Sequence, residues 1–304
     1  MAVLYQLVLR NIRLYLRDKA SVLVSFFGVI IILALYILFL GKMHSTGLVD
    51  GINNIEGIPE LIKESILDGT PWLVNSWIMA GILTVSTVTV PLSAVGNLID
   101  DKASGVLNDF YVSPINRNIL ALSYLIAAWI IGFIMVMINM SIGMAYIVMQ
   151  GGELLSLLQF VKLLGLIILS IMTFSSFFFY LSLHMKTRNA YGNLTTIVST
   201  LIGFLGGIYI PIGALGKNIQ AVINVLPTAH SVTLIRRIYM DGAMEKVFST
   251  PETKEFGEFY KDFYGLNATV GNYEFTNTSM LISMVAFMLI FYGLSIYKLS
   301  RTKL

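Results

Sequence analysis

Among the residues able to do chemistry in this chain, one short polar segment between two long apolar runs stands out. Between Asp100 and Arg117 the chain reads DDKASGVLNDFYVSPINR, with carboxylates at Asp100, Asp101 and Asp109 and cations at Lys102 and Arg117. In a chain otherwise poor in charge, this segment reads as a handle on something in the cytoplasm. Residues Asp101 to Phe110 suit a helix of about two turns with Val106, Leu107 and Phe110 on one side. Pro114 then ends it, because the residue before a proline disfavours helical geometry. A plain linker is the alternative, since loops are polar by default. A capped amphipathic helix is more than a linker needs.

The rest of the chain excludes most activities. It has 304 residues, 56% of them hydrophobic and 12% charged. A soluble globular protein carries about twice that charge. The class is therefore an integral, all-α membrane protein. Cysteine is absent, which removes disulfides and thiolate chemistry. His44, His184 and His230 lie far apart, without metal-ligand spacing. There is no GxxxxGK[ST] loop; Gly216-Lys217 is followed by Asn218 and lacks the upstream glycine. Any ATP and Mg must be handled by another chain, and no cofactor is expected on this one. Basic residues hug the ends of apolar runs without aromatic interleaving, so nucleic acid is not a partner.

The elements that must position the polar segment follow from hydropathy. Residues 1–20 place Leu4, Leu7, Val8, Ile12, Tyr15 and Leu16 on one helical stripe and Arg10, Arg13, Arg17 and Lys19 largely on another, an amphipathic helix lying in the membrane surface. Six spans follow, each needing about 20 apolar residues. They are Ser21 to Leu40, Val74 to Ile99 (interrupted by Pro91), Asn118 to Met149, Phe160 to Leu183, Asn193 to Ile210 (short and glycine-rich) and Met280 to Tyr297. With the N-terminus inside, the inner segments hold eleven Lys and Arg and the two shorter outer loops only Lys42 and Lys63. Both termini and the segment 100–117 are then cytoplasmic. Two outer segments remain. Gly41 to Pro71 has room for a short helix from Pro59 to Leu67. In 211–240, an apolar stretch broken at Pro227 reads as a re-entrant hairpin. The stretch 241–279 is an extracellular segment. Thr250-Pro251-Glu252 starts a helix there, carrying Phe256, Phe259, Tyr260, Phe263 and Tyr264, which Gly265 ends. That aromatic stripe is the buried face of a small outer subdomain, a helix on the outer leaflet, or a lid.

Ionisable groups near mid-span mark coupled carriers, and no span carries a clear one; Lys162 lies near an end. Thr84, Ser86, Thr87, Thr89 and Ser93 surround Pro91 in the second span, and Thr196, Thr200, Gly203 and Gly207 recur in the fifth. Gly203 with Gly207 forms GxxxG, a pattern for close helix packing. Packing and a substrate pathway are compatible readings of both groups. Asn139 is read as an interhelical hydrogen bond. Arg236 and Arg237 are read as anchors at the outer headgroups.

The order of these features resembles the type-2 ATP-binding-cassette (ABC) exporter permeases, the drug and polysaccharide exporter family. Two motifs carry the resemblance. Asp101-Lys-Ala-Ser-Gly105-Val-Leu-Asn-Asp-Phe-Tyr-Val-Ser-Pro114 is similar to the family's acidic-x-x-x-Gly-Thr-Leu…Ser-Pro segment, with aspartate for the usual glutamate and Val106 for threonine. Gly206-Gly207-Ile-Tyr-Ile-Pro211, then Asn224-Val-Leu-Pro227-Thr228, then Arg236 or Arg237, is similar to Gly-x-x-x-Pro…Asn-Pro-Leu-Thr…Leu-Arg. The resemblance implies a cytoplasmic ATPase subunit seated on a coupling helix formed by Asp100, Asp101, Gly105, Val106, Leu107, Asp109, Phe110 and Pro114. It also implies a second permease copy, a homodimer being favoured, and a path at the dimer interface along Thr84, Thr87, Pro91, Thr196, Thr200, Gly203 and Gly207. A multi-pass protein of the plasma membrane, bacterial by its compact loops and lack of cysteine, would export an amphipathic drug, antimicrobial peptide or lipid-like product. The alternatives are a membrane sensor or immunity protein that moves nothing, and an ion channel. Neither needs an ATPase-docking helix.

Overall fold

The computed structural model describes residues 2–20, 41–53 and 60–301, with eight positions between 22 and 38. The first predicted span, Ser21 to Leu40, lies for the most part outside the described residues, as do Pro59 and the tail from 302.

The described chain is helical but for one small hairpin. The helices are α1 (Ala2–Arg17), α2 (Gly41–Asn53), α3 (Glu60–Ala103), α4 (Val106–Val112), α5 (Arg117–Met149), α6 (Leu157–His184), α7 (Arg188–Leu205), α8 (Lys217–Asn224), α9 (Pro227–Tyr239), α10 (Asp241–Phe248), α11 (Pro251–Tyr264) and α12 (Asn277–Arg301). A 3-10 turn, Ile212–Ala214, precedes α8. Strands β1 (Thr269–Val270) and β2 (Tyr273–Glu274) pair antiparallel before α12, Val270 opposite Tyr273.

Helix α3 is the axis. Over its most apolar stretch 89% of the residues are buried inside the protein, against 17% for α12. It packs against α5, α6, α7, α9 and α10, and Trp77, Ala80, Val90 and Val95 on it are wholly enclosed. The outer helices keep apolar faces open, Ile130, Ile134 and Ile138 on α5 and Ile282, Leu289 and Ile290 on α12. Apolar side chains facing outward over several turns are what a lipid environment selects. Four described helices are long and apolar enough to cross a membrane: Ile66–Ala103, Arg117–Met149, Leu157–His184 and Asn277–Leu299. They contain the predicted second, third, fourth and sixth spans. The fifth appears as α7, whose 18 residues reach about 27 Å, slightly short of a bilayer core of about 30 Å.

Several expectations need correction. The predicted outer helix from Pro59 to Leu67 is not separate: α3 starts at Glu60 and runs through both Pro71 and Pro91. Pro91 cannot donate to the preceding turn, yet the ladder carries on either side, and the proline packs against α5, where a Cβ on Gly132 would meet it at 3.2 Å. In 211–240 the chain forms two helices, α8 and α9, and Pro227 is the first residue of the second, where its missing N–H is harmless. Pro211 lies at the mouth of the 3-10 turn. On α1 the buried face is Leu7, Val8, Asn11 and Tyr15, while Leu16 is exposed; α1 lays this face on α5.

Two expectations about the outer segment are met. Helix α11 begins with Pro251 and ends at Gly265, whose φ of 73° is the left-handed geometry that glycine adopts without penalty. The Thr250 hydroxyl caps no backbone N–H; it pairs with the Thr253 hydroxyl at 3.0 Å. Of the aromatic stripe, Tyr260 and Tyr264 are buried and Phe259 is exposed.

Candidate functional site: a latched helix at one end, a buried arginine at the other

The polar segment is built differently from its sequence reading. Asp100 and Asp101 do not belong to the short helix; they form the last turns of α3. The chain reverses at Ser104-Gly105, with Gly105 at φ 82°, and α4 starts at Val106. It runs to Val112, with Ser113 extended before Pro114 as the proline requires. Leu107 is buried, Val106 and Phe110 are half-buried, and Asn108, Asp109, Val112 and Pro114 are exposed. The helix therefore offers one polar-rimmed face outward and rests on a single buried leucine.

The end of α3 that leads into it is fixed by a three-way bond around Asp101. Arg10 of α1 donates to both carboxylate oxygens, Nη1 to Oδ2 at 2.6 Å and Nη2 to Oδ1 at 2.8 Å. Tyr124 Oη of α5 donates to Oδ2 at 2.5 Å. A bidentate, charge-assisted pair of this kind is among the stronger contacts available to side chains. The hydrogen bond to Asp101 holds the Arg10 guanidinium above its ordinary pKa against the opposing effect of burial. The same guanidinium lies 5.2 Å over the Phe110 ring of α4. One arginine thus joins the entry helix, the end of α3 and the short helix. Asn11 extends the seam: its side chain donates to Ser123 Oγ at 3.3 Å, and Asn97 donates to its carbonyl at 3.0 Å.

Neighbouring charges fasten the same end. Asp100 pairs with Arg188 at the start of α7, Nε to Oδ1 at 2.5 Å. Lys102 Nζ donates to the Met185 carbonyl at 2.7 Å, just past the α6 C-terminus, where the helix dipole favours a cation. Beside α4 is a cavity of about 160 Å³ lined by Leu107, Tyr111, Tyr124, Phe179 and Leu299.

The residues proposed for a path divide. Thr84 and Thr87 are buried at the centre of the subunit, their hydroxyls bonded to the carbonyls of Ala80 and Thr84. Pro91 is buried too. All three are enclosed by the chain itself, because α3 is the core and not a flank. Asn139 donates to Ser86 Oγ at 3.1 Å, the interhelical bond expected of it. Thr196 and Thr200 are exposed on α7 beside Ile197, Leu201 and Phe204. The GxxxG reading fails. Gly207 lies past the helix at φ 60°, and the N–H of Ile208 returns to the Gly203 carbonyl at 2.9 Å while that of Gly207 returns to Phe204 at 3.0 Å, a Schellman ending. Gly203 makes room for a ring, not a helix: its Cβ would sit 2.1 Å from Tyr209.

At the other end, Arg236 is not a headgroup anchor. It is buried, 1% exposed, and donates through Nη2 to the carbonyls of Gly206 at 2.8 Å and Gly207 at 3.0 Å. Its guanidinium stands 5.0 Å over the Trp77 ring. Arg237, half-buried, donates to the Leu266 carbonyl and to Asn277 Oδ1, both at 2.6 Å. Sequence reasoning missed Arg10, Tyr124 and Trp77 as partners; only the odd presence of Asn11 on an apolar face hinted that α1 is a packed seam.

Among the described residues no cluster of His, Cys, Asp and Glu is arranged for a metal. These features define an all-α membrane protein whose polar residues fasten helices to one another. The model of the ABC-2 type transporter family matches residues 2–240, and the chain belongs to that family. It is thus the membrane-embedded permease of an ABC transporter, the component distinct from the ATP-binding partner with which such permeases work. The segment from Asp241 on, with α10, α11 and α12, lies beyond the matched stretch. A search among curated proteins finds no match.

Proposed function

We propose that the chain is the permease of an ABC exporter and moves an amphipathic compound outward, with α4 as the helix on which the ATPase subunit sits. The observation that carries this is the mounting of α4. A seven-residue helix is too short to be stable alone. It is nonetheless held by Gly105, Leu107 and the Arg10–Asp101–Tyr124 bonds so that Asn108, Asp109 and Val112 face away from the protein. Displacement of α4 by a partner would act directly on the end of α3, the core helix, and on α1. The cavity beside it leaves room for such a tilt. ATP binding to the partner would then bias a rigid-body switch.

The exposed face of α7 supports a second copy and a path beside it. Hydroxyls of Thr196 and Thr200 alternate there with Ile197, Leu201 and Phe204, a surface suited to an amphiphile and unsuited to a bare ion. With α7 as the fifth span, Ser21 to Leu40 as the first and the hairpin α8–α9 re-entering the membrane, six spans bring both termini to the cytoplasmic side, in a bacterial plasma membrane.

The test is co-purification of the tagged chain from its native host. A stoichiometric soluble ATPase, lost on Gly105→Pro, is the expected result. A folded, dimeric permease that brings no ATPase would overturn the proposal.

A further inference from the structure

One groove lies apart from both the α4 latch and the Arg236 junction. It lies at the end of the molecule opposite α4, between the start of α6, the last turns of α9 and the start of α12, and encloses about 650 Å³. Its rim is polar and its floor apolar. Lys162 and Arg237 stand at the rim, and Gly165, Leu169, Leu234 and Leu281 line the depth. From Lys162 to Leu169 is seven residues, or about 10 Å along the helix. The groove therefore passes from headgroup depth to acyl-chain depth.

Two observations say what would fill it. Lys162 is exposed and has no acidic partner among the described residues. Asp241, the acid that lines the groove, accepts from the Gln159 amide at 3.0 Å, and Glu274, outside the groove, stands 3.6 Å from Arg237. An ammonium left unpaired over an apolar trough is complementary to an anion that carries hydrocarbon. The trough also opens onto the apolar outer surface of α6 and α12, where Leu158, Val161, Ile168 and Ile282 are exposed. A lipid enters it sideways with its chain, while a soluble anion meets only the polar rim.

We propose that this groove binds one anionic phospholipid, its phosphate on Lys162 and the outer edge of Arg237, one acyl chain lying over Gly165 and Leu169. The site rests on the membrane placement of α6 and α12 given above, and not on the ATPase partnership. It would tie the hairpin helix α9 to the flanking spans, so the lipid becomes a third element of the packing.

The test uses the full purified chain titrated with phosphatidylglycerol or phosphatidylcholine and read by native mass spectrometry. One tightly retained phosphatidylglycerol is expected, with phosphatidylcholine weaker. Lys162→Ala should weaken phosphatidylglycerol about fivefold, the contribution of one cation near a membrane surface, and phosphatidylcholine less, because its choline cation already offsets the phosphate charge. Gly165→Leu should expel both lipids without loss of fold, since a side chain there meets nothing within 4 Å and leucine favours helix over glycine. Equal retention of the two lipids, or a preference that survives Lys162→Ala, would overturn the proposal. So would soluble glycerol phosphate competing as well as the lipid, which would make this an anion site only. Failure to recover an ATPase leaves these readouts untouched.

Discussion

The guanidinium of Arg236 stands 5.0 Å over the indole of Trp77, and no carboxylate among the described residues is paired with it. Its charge is instead met by the carbonyls of Gly206 and Gly207, just past the C-terminal end of α7, where a helix presents partial negative charge. Trp77 in turn donates to the Tyr264 carbonyl at 2.9 Å. Four elements, α3, α7, α9 and α11, therefore meet on one cation.

Arg236→Met should destabilise the protein by on the order of 3 kcal/mol, from two charge-assisted hydrogen bonds and one buried cation–π contact. Arg236→Lys should recover less than half, because an ammonium cannot match the planar fork. Thermal unfolding in micelles, followed by tryptophan fluorescence, measures both. A lysine variant as stable as the parent would refute this account of the junction.

The latch at the other end predicts coupling. Arg10→Met and Asp101→Asn, singly and together, should give an interaction energy of about 1–3 kcal/mol in a double-mutant cycle. The pair is partly buried, with side-chain exposures of 29% and 8%, so screening by salt should be modest. Additive effects would mean that the contact contributes nothing.

Gly105 isolates backbone geometry from packing. A Cβ there meets nothing within 4 Å, so Gly105→Ala should act only through the strain of φ 82°, about 1 kcal/mol. Gly105→Asn should be milder, since asparagine tolerates the left-handed region. If α4 docks the ATPase, retention of that subunit should follow the order Gly, Asn, Ala.

His44 makes the contact between α2 and α11 sensitive to acid. Its ring packs edge-on to Trp77 at 5.1 Å and Tyr264 at 5.8 Å, and burial pushes its pKa down. The unfolded chain then binds the proton more readily than the folded one, so stability rises with pH. It is full above the ordinary value of about 6.5 and falls as the pH drops toward the depressed one. His44→Gln should flatten the unfolding midpoint between about pH 7 and 5. A slope unchanged in that variant would assign the effect elsewhere.

Gly203→Ala should disturb Tyr209 rather than a subunit contact, given the 2.1 Å approach of a Cβ to that ring. Tyr209→Ala in the same chain should restore much of the lost stability. Cross-linking of subunits that changes with Gly203→Ala and is not rescued by Tyr209→Ala would revive the interhelical reading.

The membrane class, the positions of the second, third, fourth and sixth spans, the Pro251-to-Gly265 helix and the family were legible in the residues alone. All rest on local signals: apolar runs of the right length, a proline at a helix start, a glycine at its end, short motifs in order. The sequence reading went wrong where the deciding partner is distant. Asp101 looks like an exposed docking charge until Arg10, 91 residues away, reaches it. Arg236 reads as a headgroup anchor until Gly206, 30 residues away, receives it. Thr84 and Thr87 look like a channel face, yet α3 proves to be the most enclosed of the long helices. Gly207 completes a motif on paper and leaves the helix in space. Hydropathy and capping are summed along neighbouring residues, so the chain determines by itself where its helices run. Which face of each is enclosed, and which charge meets which, depends on the packing of all the helices at once, and only the tertiary structure decides it.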